Sequence, residues 1–384
     1  MSAEIPLSKP DITQAEIDAV VDVLRSGRLS IGPYQERFEK LVAARVGVDH
    51  AVACSSGTAG LHMALMGLGI GPGDEVVTTP FSFIASANPI LMVGATPVFA
   101  DICPKTMNAD PVKVEAAITP RTRAILAVET FGNPAYMDHY AAIAARHELP
   151  LIEDCCEAMG CSLGRRACGS FGRVGVFGFY PNKQITTGEG GMIVTSDARL
   201  AEICRSLRSQ GRPTPAPGQE VNWLQHERLG YNFRLDEMSA ALGVTQMKRL
   251  DEFIQKRQRV AEMYFNRLGG LSEIVLPTLP PESVNSWFVF VVRLAAGYRR
   301  EERDAIIAGL RRHEVGARDY FPCIHLQPFY RRMLEFKPGD FPIAETVSDR
   351  TLALPFYNDL TARDVDFVCR TLELMLKRGN LGRS

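Results

Sequence analysis

The stretch FYPNKQITTGEGG, Phe179 to Gly191, places one lysine between a short aromatic strand and a run of threonines and glycines. Two folds compete for it. A nucleotide-binding phosphate cradle needs glycines before the lysine, a Ser or Thr directly after it, and a helix to follow. Here Gly188, Gly190 and Gly191 come after Lys183, Gln184 follows it, and the next segment, GGMIVTSD, reads as a strand. The order of residues therefore argues against the cradle. The second reading is an amine held on a tight turn to attack a carbonyl, because partial desolvation makes a lysine easier to deprotonate and more nucleophilic. A lone lysine is more often a solvated surface group, so the surrounding chain has to decide.

Working outward, the strand-like segments AVACS, DEVVTT, TPVFADI, RAILAVE and LPLIED are separated by helical stretches beginning near Thr58, Ala85, Asp110 and Ala135. Strands alternating with helices at this spacing predict an α/β fold, a mainly parallel sheet covered on both faces. Ligands of such sheets gather at the carboxyl ends of the strands. Before this region, Ile17, Val20, Val21 and Leu24 recur at helical spacing and end at Gly27, and a second helix begins at Pro33. After it, the segment from Arg234 to Leu268 is periodic enough to predict a long helix with a break, bridging to a smaller α+β region. The expected division is a large domain over 1–250 and a small one over 251–384.

The chain has 384 residues, 46% hydrophobic and 23% charged, enough for a sizeable core. Its 43 Lys and Arg against 44 Asp and Glu give a net charge of -1, and no basic stripe suits a polyanion, so nucleic acid is not an expected partner. No apolar run approaches the length of a membrane span, and the first residues lack a leader pattern, which predicts a cytoplasmic protein. Cys155, Cys156, Cys161 and Cys168 lack paired metal-ligand spacing, and the total of nine is odd, so reduced thiols are expected rather than a metal centre or a disulfide framework.

Chemistry concentrates at the ends of the predicted strands. LPLIED ends in Asp154, with Glu157 following; Glu153 and Asp154 face opposite sides of the strand, so only one can meet a given ligand. A carboxylate there either caps the next turn or faces a cofactor ring nitrogen. CSSGTAGLHMAL sets Gly57, Thr58 and Ala59 at a helix start, where free amides and the helix dipole hold a phosphate. TTPFSFIASAN brings Phe81 and Phe83 to another strand end, for stacking or for the core.

With SSGTAGLHMAL, GIGPGDEVV, GATPVFADI, LIEDCCEAMG, GSFGRVGVFGFYPNKQITTGEGG and ERLGYNFRLDEMSAALG in order, nearly the whole chain resembles the DegT/DnrJ/EryC1/StrS sugar aminotransferases, fold-type I pyridoxal phosphate enzymes. The resemblance implies that Lys183 carries the cofactor and shuttles protons and that Asp154 holds the pyridinium nitrogen. It also implies Glu157 beside the ring, Phe83 over its face, and Gly57, Thr58 and Ala59 as the phosphate loop. Asn232 would reach the phosphate of a neighbouring subunit, implying a homodimer with shared sites, and Arg318 and His325 would lie near the sugar. The implied reaction moves an amino group, with L-glutamate as the expected donor, to a keto group of a nucleotide-linked deoxyhexose. The segment YFPCIHLQPFY is most similar to perosamine-type members, which favours the 4-keto position. A 3-keto sugar or a keto-cyclitol is the alternative substrate, and a non-catalytic cofactor-binding regulator the alternative from another class. The dehydratase branch, with histidine in place of the lysine, is argued against by Lys183. Departures are Gly178 where many relatives have serine, Cys155 and Cys156 where alanine is common, and Glu129 and Gln210 where histidine is frequent.

Overall fold

The computed structural model describes residues 4–213 and 224–380; the first three residues of the start read for a leader lie outside them. The predicted alternation is realised as strands β1 (His50–Cys54), β2 (Glu75–Thr78), β3 (Thr96–Phe99), β4 (Thr122–Val128) and β5 (Leu151–Asp154). A short hairpin, β6 (Ser162–Leu163) and β7 (Arg166–Ala167), precedes β8 (Val174–Gly178) and β9 (Gly191–Thr195). Seven of these form one sheet in the order β1-β9-β8-β5-β4-β2-β3. The pairs from β8 to β3 are parallel, and β9 runs antiparallel to both β1 and β8. Because β9 alone is reversed, β1, β2, β4, β5 and β8 all deliver their carboxyl ends to one edge. The strands read as continuous apolar runs since both faces are covered.

The covering helices are α1 (Gln14–Ser26), α2 (Pro33–Val46), α3 (Gly57–Gly67), α4 (Asn88–Met92), α5 (Pro111–Ala116), α6 (Met137–Arg146) and α7 (Ala198–Arg208). The long periodic segment is broken as predicted, into α8 (Glu237–Lys248) and α9 (Leu250–Leu268), meeting at Arg249. Beyond it, β10 (Ile274–Val275), β12 (Phe290–Leu294) and β13 (Thr351–Leu354) form a second sheet, while β11 (Ser283–Val284) joins the β6–β7 hairpin. With α9, α10 (Arg300–Arg312) and α13 (Ala362–Asn380), the second sheet encloses its own core around Tyr264, Phe290, Leu310 and Leu372. Short helices α11 (Pro328–Leu334) and α12 (Pro342–Ser348) complete this part.

Helix α1 forms where the spacing predicts and ends at Gly27. Its apolar stripe does not face the core: Ile17 is 49% and Leu24 52% exposed, whereas Glu16 is buried at 1%. The reason is electrostatic. Glu16 accepts from the Thr13 amide (2.7 Å), from Gln246 (3.1 Å) and from Arg249 (3.0 Å), and this network turns the acidic face inward. Leu29 and Ile31, just beyond the helix, are also exposed.

Candidate active site

At the carboxyl edge of the large sheet lies a cavity of about 560 Å³, walled by α3, the ends of β5 and β8, the 179–190 loop and the 319–322 segment. The loop is pinched shut at its base, where the Phe179 amide donates to the Gly190 carbonyl (2.9 Å) and the Thr187 amide to the Phe179 carbonyl (3.0 Å). Gly188 makes the turn with φ +80°, a conformation that favours glycine. Gly191 meets a tighter constraint, since a Cβ there would stand 2.4 Å from the Ser56 carbonyl. The glycines after the lysine thus let β9 begin in contact with the start of α3, which brings Lys183 and that helix terminus to one cavity.

Gln184 is buried by bonds from its amide nitrogen to the Glu157 carbonyl (2.6 Å) and Ser286 Oγ (2.8 Å). Its neighbour Lys183 reaches the cavity, with Nζ 3.5 Å from Glu157 Oε1 and 3.9 Å from the centre of the Phe288 ring. Glu157 also accepts from the Phe131 amide (2.8 Å). Burial raises the Glu157 carboxyl above its ordinary range, opposed by the Lys183 charge.

Asp154 lines the cavity and Glu153 faces away, as the strand alternation requires. Ser86 Oγ donates to Asp154 Oδ2 (2.6 Å), the Cys156 amide approaches Oδ1 (3.2 Å), and Ser82 backs Ser86 at 2.8 Å. Behind the sheet, Glu153 accepts from the amides of Gly169 (2.8 Å) and Gly172 (2.6 Å). Glu129, Glu153 and Cys155 hold three potential ligand atoms within 4.8 Å of one another. Among the described residues Glu129 receives only the Cys155 thiol, on Oε1 at 3.6 Å, its Oε2 meets no partner, and burial beside Glu153 and Asp154 lifts its carboxyl well above the usual range. Gln210, the other departure, accepts from Arg234 (2.9 Å).

The α3 terminus is formed by Ser56, whose hydroxyl accepts from the Ala59 amide (3.1 Å). Of the three amides expected to be free, that of Ala59 is therefore occupied, while those of Gly57 and Thr58 meet no acceptor among the described residues. Phe83 and Phe81 separate cleanly. Phe83 is 59% exposed on the cavity wall, and Phe81 is buried against Phe131 and Phe321.

The structure does not bring the remaining predicted residues into this cavity. Asn232 is exposed, its backbone bridged to Ser209. Arg318 is exposed and pairs through its backbone with Ala353, whereas its neighbours Asp319 and Tyr320 line the wall. His325 is fully buried, with Nε2 3.1 Å from Glu345 and its ring against Phe341. Sequence reasoning missed Ser86, Phe288 and Tyr320. Ser82 and Ser86, four residues apart beside a strand end, offered a signal; Phe288 and Tyr320 arrive from distant segments and offered none.

The DegT/DnrJ/EryC1/StrS aminotransferase family profile matches residues 10–373. The chain is 38% identical over 374 residues to GDP-perosamine synthase of Caulobacter vibrioides, covering 97% of this chain and 98% of that one. It is likewise 38% identical over 378 residues to the spore coat polysaccharide biosynthesis protein SpsC of Bacillus subtilis, covering 97% of each. Among solved structures, Spr1654 of Streptococcus pneumoniae in its PLP-form superposes with a TM-score of 0.91 at 26% identity, covering 98% of this chain and 99% of that one. A lysine, a buried aspartate and an open helix terminus around one cavity agree with that relationship. The chain belongs to the DegT/DnrJ/EryC1/StrS family of pyridoxal phosphate dependent sugar aminotransferases.

Proposed function

We propose that this enzyme transfers an amino group from L-glutamate to the 4-keto group of a nucleotide-linked deoxyhexose, as a cytoplasmic homodimer with shared active sites. The observation that carries the reading is the convergence of Lys183, Asp154 and the α3 terminus on one cavity. The donor set fits pyridoxal phosphate end to end. The open amides of Gly57 and Thr58 suit its phosphate, Asp154 suits its ring nitrogen, and Lys183 suits its carbonyl carbon. When bound, that group supplies an electron sink and a carrier for the amine.

The residues divide the remaining work. Asp154, fixed by Ser86 and the Cys156 amide, would hold a proton at the ring nitrogen. Phe83 and Glu157 line the cavity where they would cover and flank the ring. Lys183, whose amine lies in the cavity, would act as the base that takes the proton from the donor's α-carbon. The second half-reaction repeats these roles in reverse on the keto sugar, which predicts ping-pong kinetics. The 4-keto preference is supported by the identity to GDP-perosamine synthase. For the sugar pocket, the positions of Asp319 and Tyr320 support them over Arg318 and His325.

The homodimer is supported by the apolar surface of Ile17, Leu24, Leu29 and Ile31 and by Asn232, which is exposed and free to reach a second copy. The visible absorbance of purified protein tests the reading. L-glutamate alone should shift the bound-cofactor band and release 2-oxoglutarate, and a 4-keto nucleotide sugar should reverse the shift. A band unmoved by glutamate refutes the donor. Reversal by a keto-cyclitol but not by the sugar refutes the acceptor.

A further inference from the structure

Of the nine cysteines, only Cys156 contributes to the cavity wall. Its side chain fills the gap between two glycines. A Cβ on Gly57 would stand 2.5 Å from Cys156 Sγ, and one on Gly178 would stand 3.2 Å from Sγ and 3.3 Å from the Cys156 Cβ. Gly57 is the first residue of α3 and carries one of its two open amides. The thiol is therefore seated at the helix terminus, on the cavity side of β8.

We propose that Cys156 is a cofactor-binding residue whose S–H joins the amides of Gly57 and Thr58 as a third donor to the cofactor phosphate, and that its presence holds position 178 to glycine. Several observations favour a donor over a packing group or a nucleophile. Within the protein the thiol already serves as a donor, to the Val176 carbonyl at 3.7 Å and to the Asp154 carboxylate, and a phosphate at the helix terminus would draw on the same hydrogen. Burial, reinforced by the Asp154 charge, pushes its pKa well above the usual thiol range, so the sulfur keeps its proton. A protonated thiol is a weak donor and an uncharged one, suited to add a hydrogen bond without altering the charge of the cup. The inference rests on the pyridoxal phosphate reading of this site.

The test is equilibrium binding of pyridoxal 5'-phosphate to the apoprotein, followed by absorbance, with inorganic phosphate as competitor. Cys156→Ala should weaken the cofactor about fivefold, the worth of one neutral hydrogen bond, and raise the phosphate inhibition constant by the same factor. Cys156→Ser, which keeps a donor, should restore both. Gly178→Ala alone should lower the unfolding temperature of the apoprotein, and the double variant with Cys156→Ala should recover it. Equal affinity in wild type and Cys156→Ala, or equal losses in the Ala and Ser variants, would overturn the donor role and leave the cofactor reading intact. A Gly178→Ala loss unrelieved by Cys156→Ala would overturn the glycine coupling. Wild-type apoprotein that fails to bind pyridoxal 5'-phosphate would overturn the cofactor reading itself.

Discussion

Replacing Gly191 with alanine should damage the cofactor cup from behind. The added Cβ would lie 2.4 Å from the carbonyl carbon and oxygen of Ser56 and 2.7 Å from the Gly57 nitrogen, whereas ordinary contact begins at 3.4 Å. The start of β9 and the start of α3 must therefore separate by roughly 1 Å, and both obstacles are backbone, with no rotamer to absorb the strain. Overpacking of this kind costs about 1–3 kcal/mol, offset in part by about 0.4–1 kcal/mol from the stiffer unfolded chain. Ser56 caps α3, so the displacement passes directly to the open amides of Gly57 and Thr58. A misplacement of about 1 Å can cost ~100-fold in a positioned interaction, and a loss of cofactor affinity of that order is expected. Urea unfolding of the apoprotein reads the first effect and titration with pyridoxal 5'-phosphate the second. Gly188→Ala is the control. It has no atom within 4 Å of its Cβ but a φ of +80°, so it should cost about 1–2 kcal/mol of stability while leaving affinity near that of wild type. Equal affinity losses in the two variants, or a Gly191→Ala protein indistinguishable from wild type, would refute the argument.

Two further tests address the assembly and the buried acids. Lys183→Ala and Asn232→Ala should each be inactive or severely impaired alone, but co-expressed in equal amounts they should recover about a quarter of the wild-type sites, because half the dimers are hybrids with one intact site each. No recovery despite demonstrated hybrids would exclude shared sites. Glu129→Gln should stabilise the protein increasingly as pH rises. A carboxyl whose folded pKa is raised contributes stability below its unfolded pKa, and that contribution is lost as pH rises toward the folded value. Burial raises Glu129 and lifts Glu153 to about 7. Between pH 5 and 7 the variant should therefore gain on wild type by up to about 1.4 kcal/mol per pH unit. A difference in unfolding free energy that stays flat over that range would show that Glu129 is ionised throughout.

What was legible in the sequence followed from how local each determinant is. The strand alternation, the existence of a break in the long helical segment and the lysine turn are written in short segments, so their periodicity and glycines announced them, though not the position of the break at Arg249. The α1 orientation was not legible because the deciding contact spans the chain. Glu16 and Arg249 are far apart in sequence, and a buried ion pair outweighs an apolar stripe that is free to remain outside. The same distinction divides the site. Lys183, Asp154 and Phe83 sit at strand ends where topology alone delivers them, but Tyr320 and Phe288 reach the wall only through the packing of the C-terminal part. The departures at 156 and 178 look unrelated when read separately, one as a packing change and the other as a lost hydroxyl. In space they are one event, since the thiol occupies the room that Gly178 leaves. A residue whose identity depends on a neighbour across the sheet cannot be judged by its own position in the chain, so substitutions at 57, 156 and 178 have to be made and measured together.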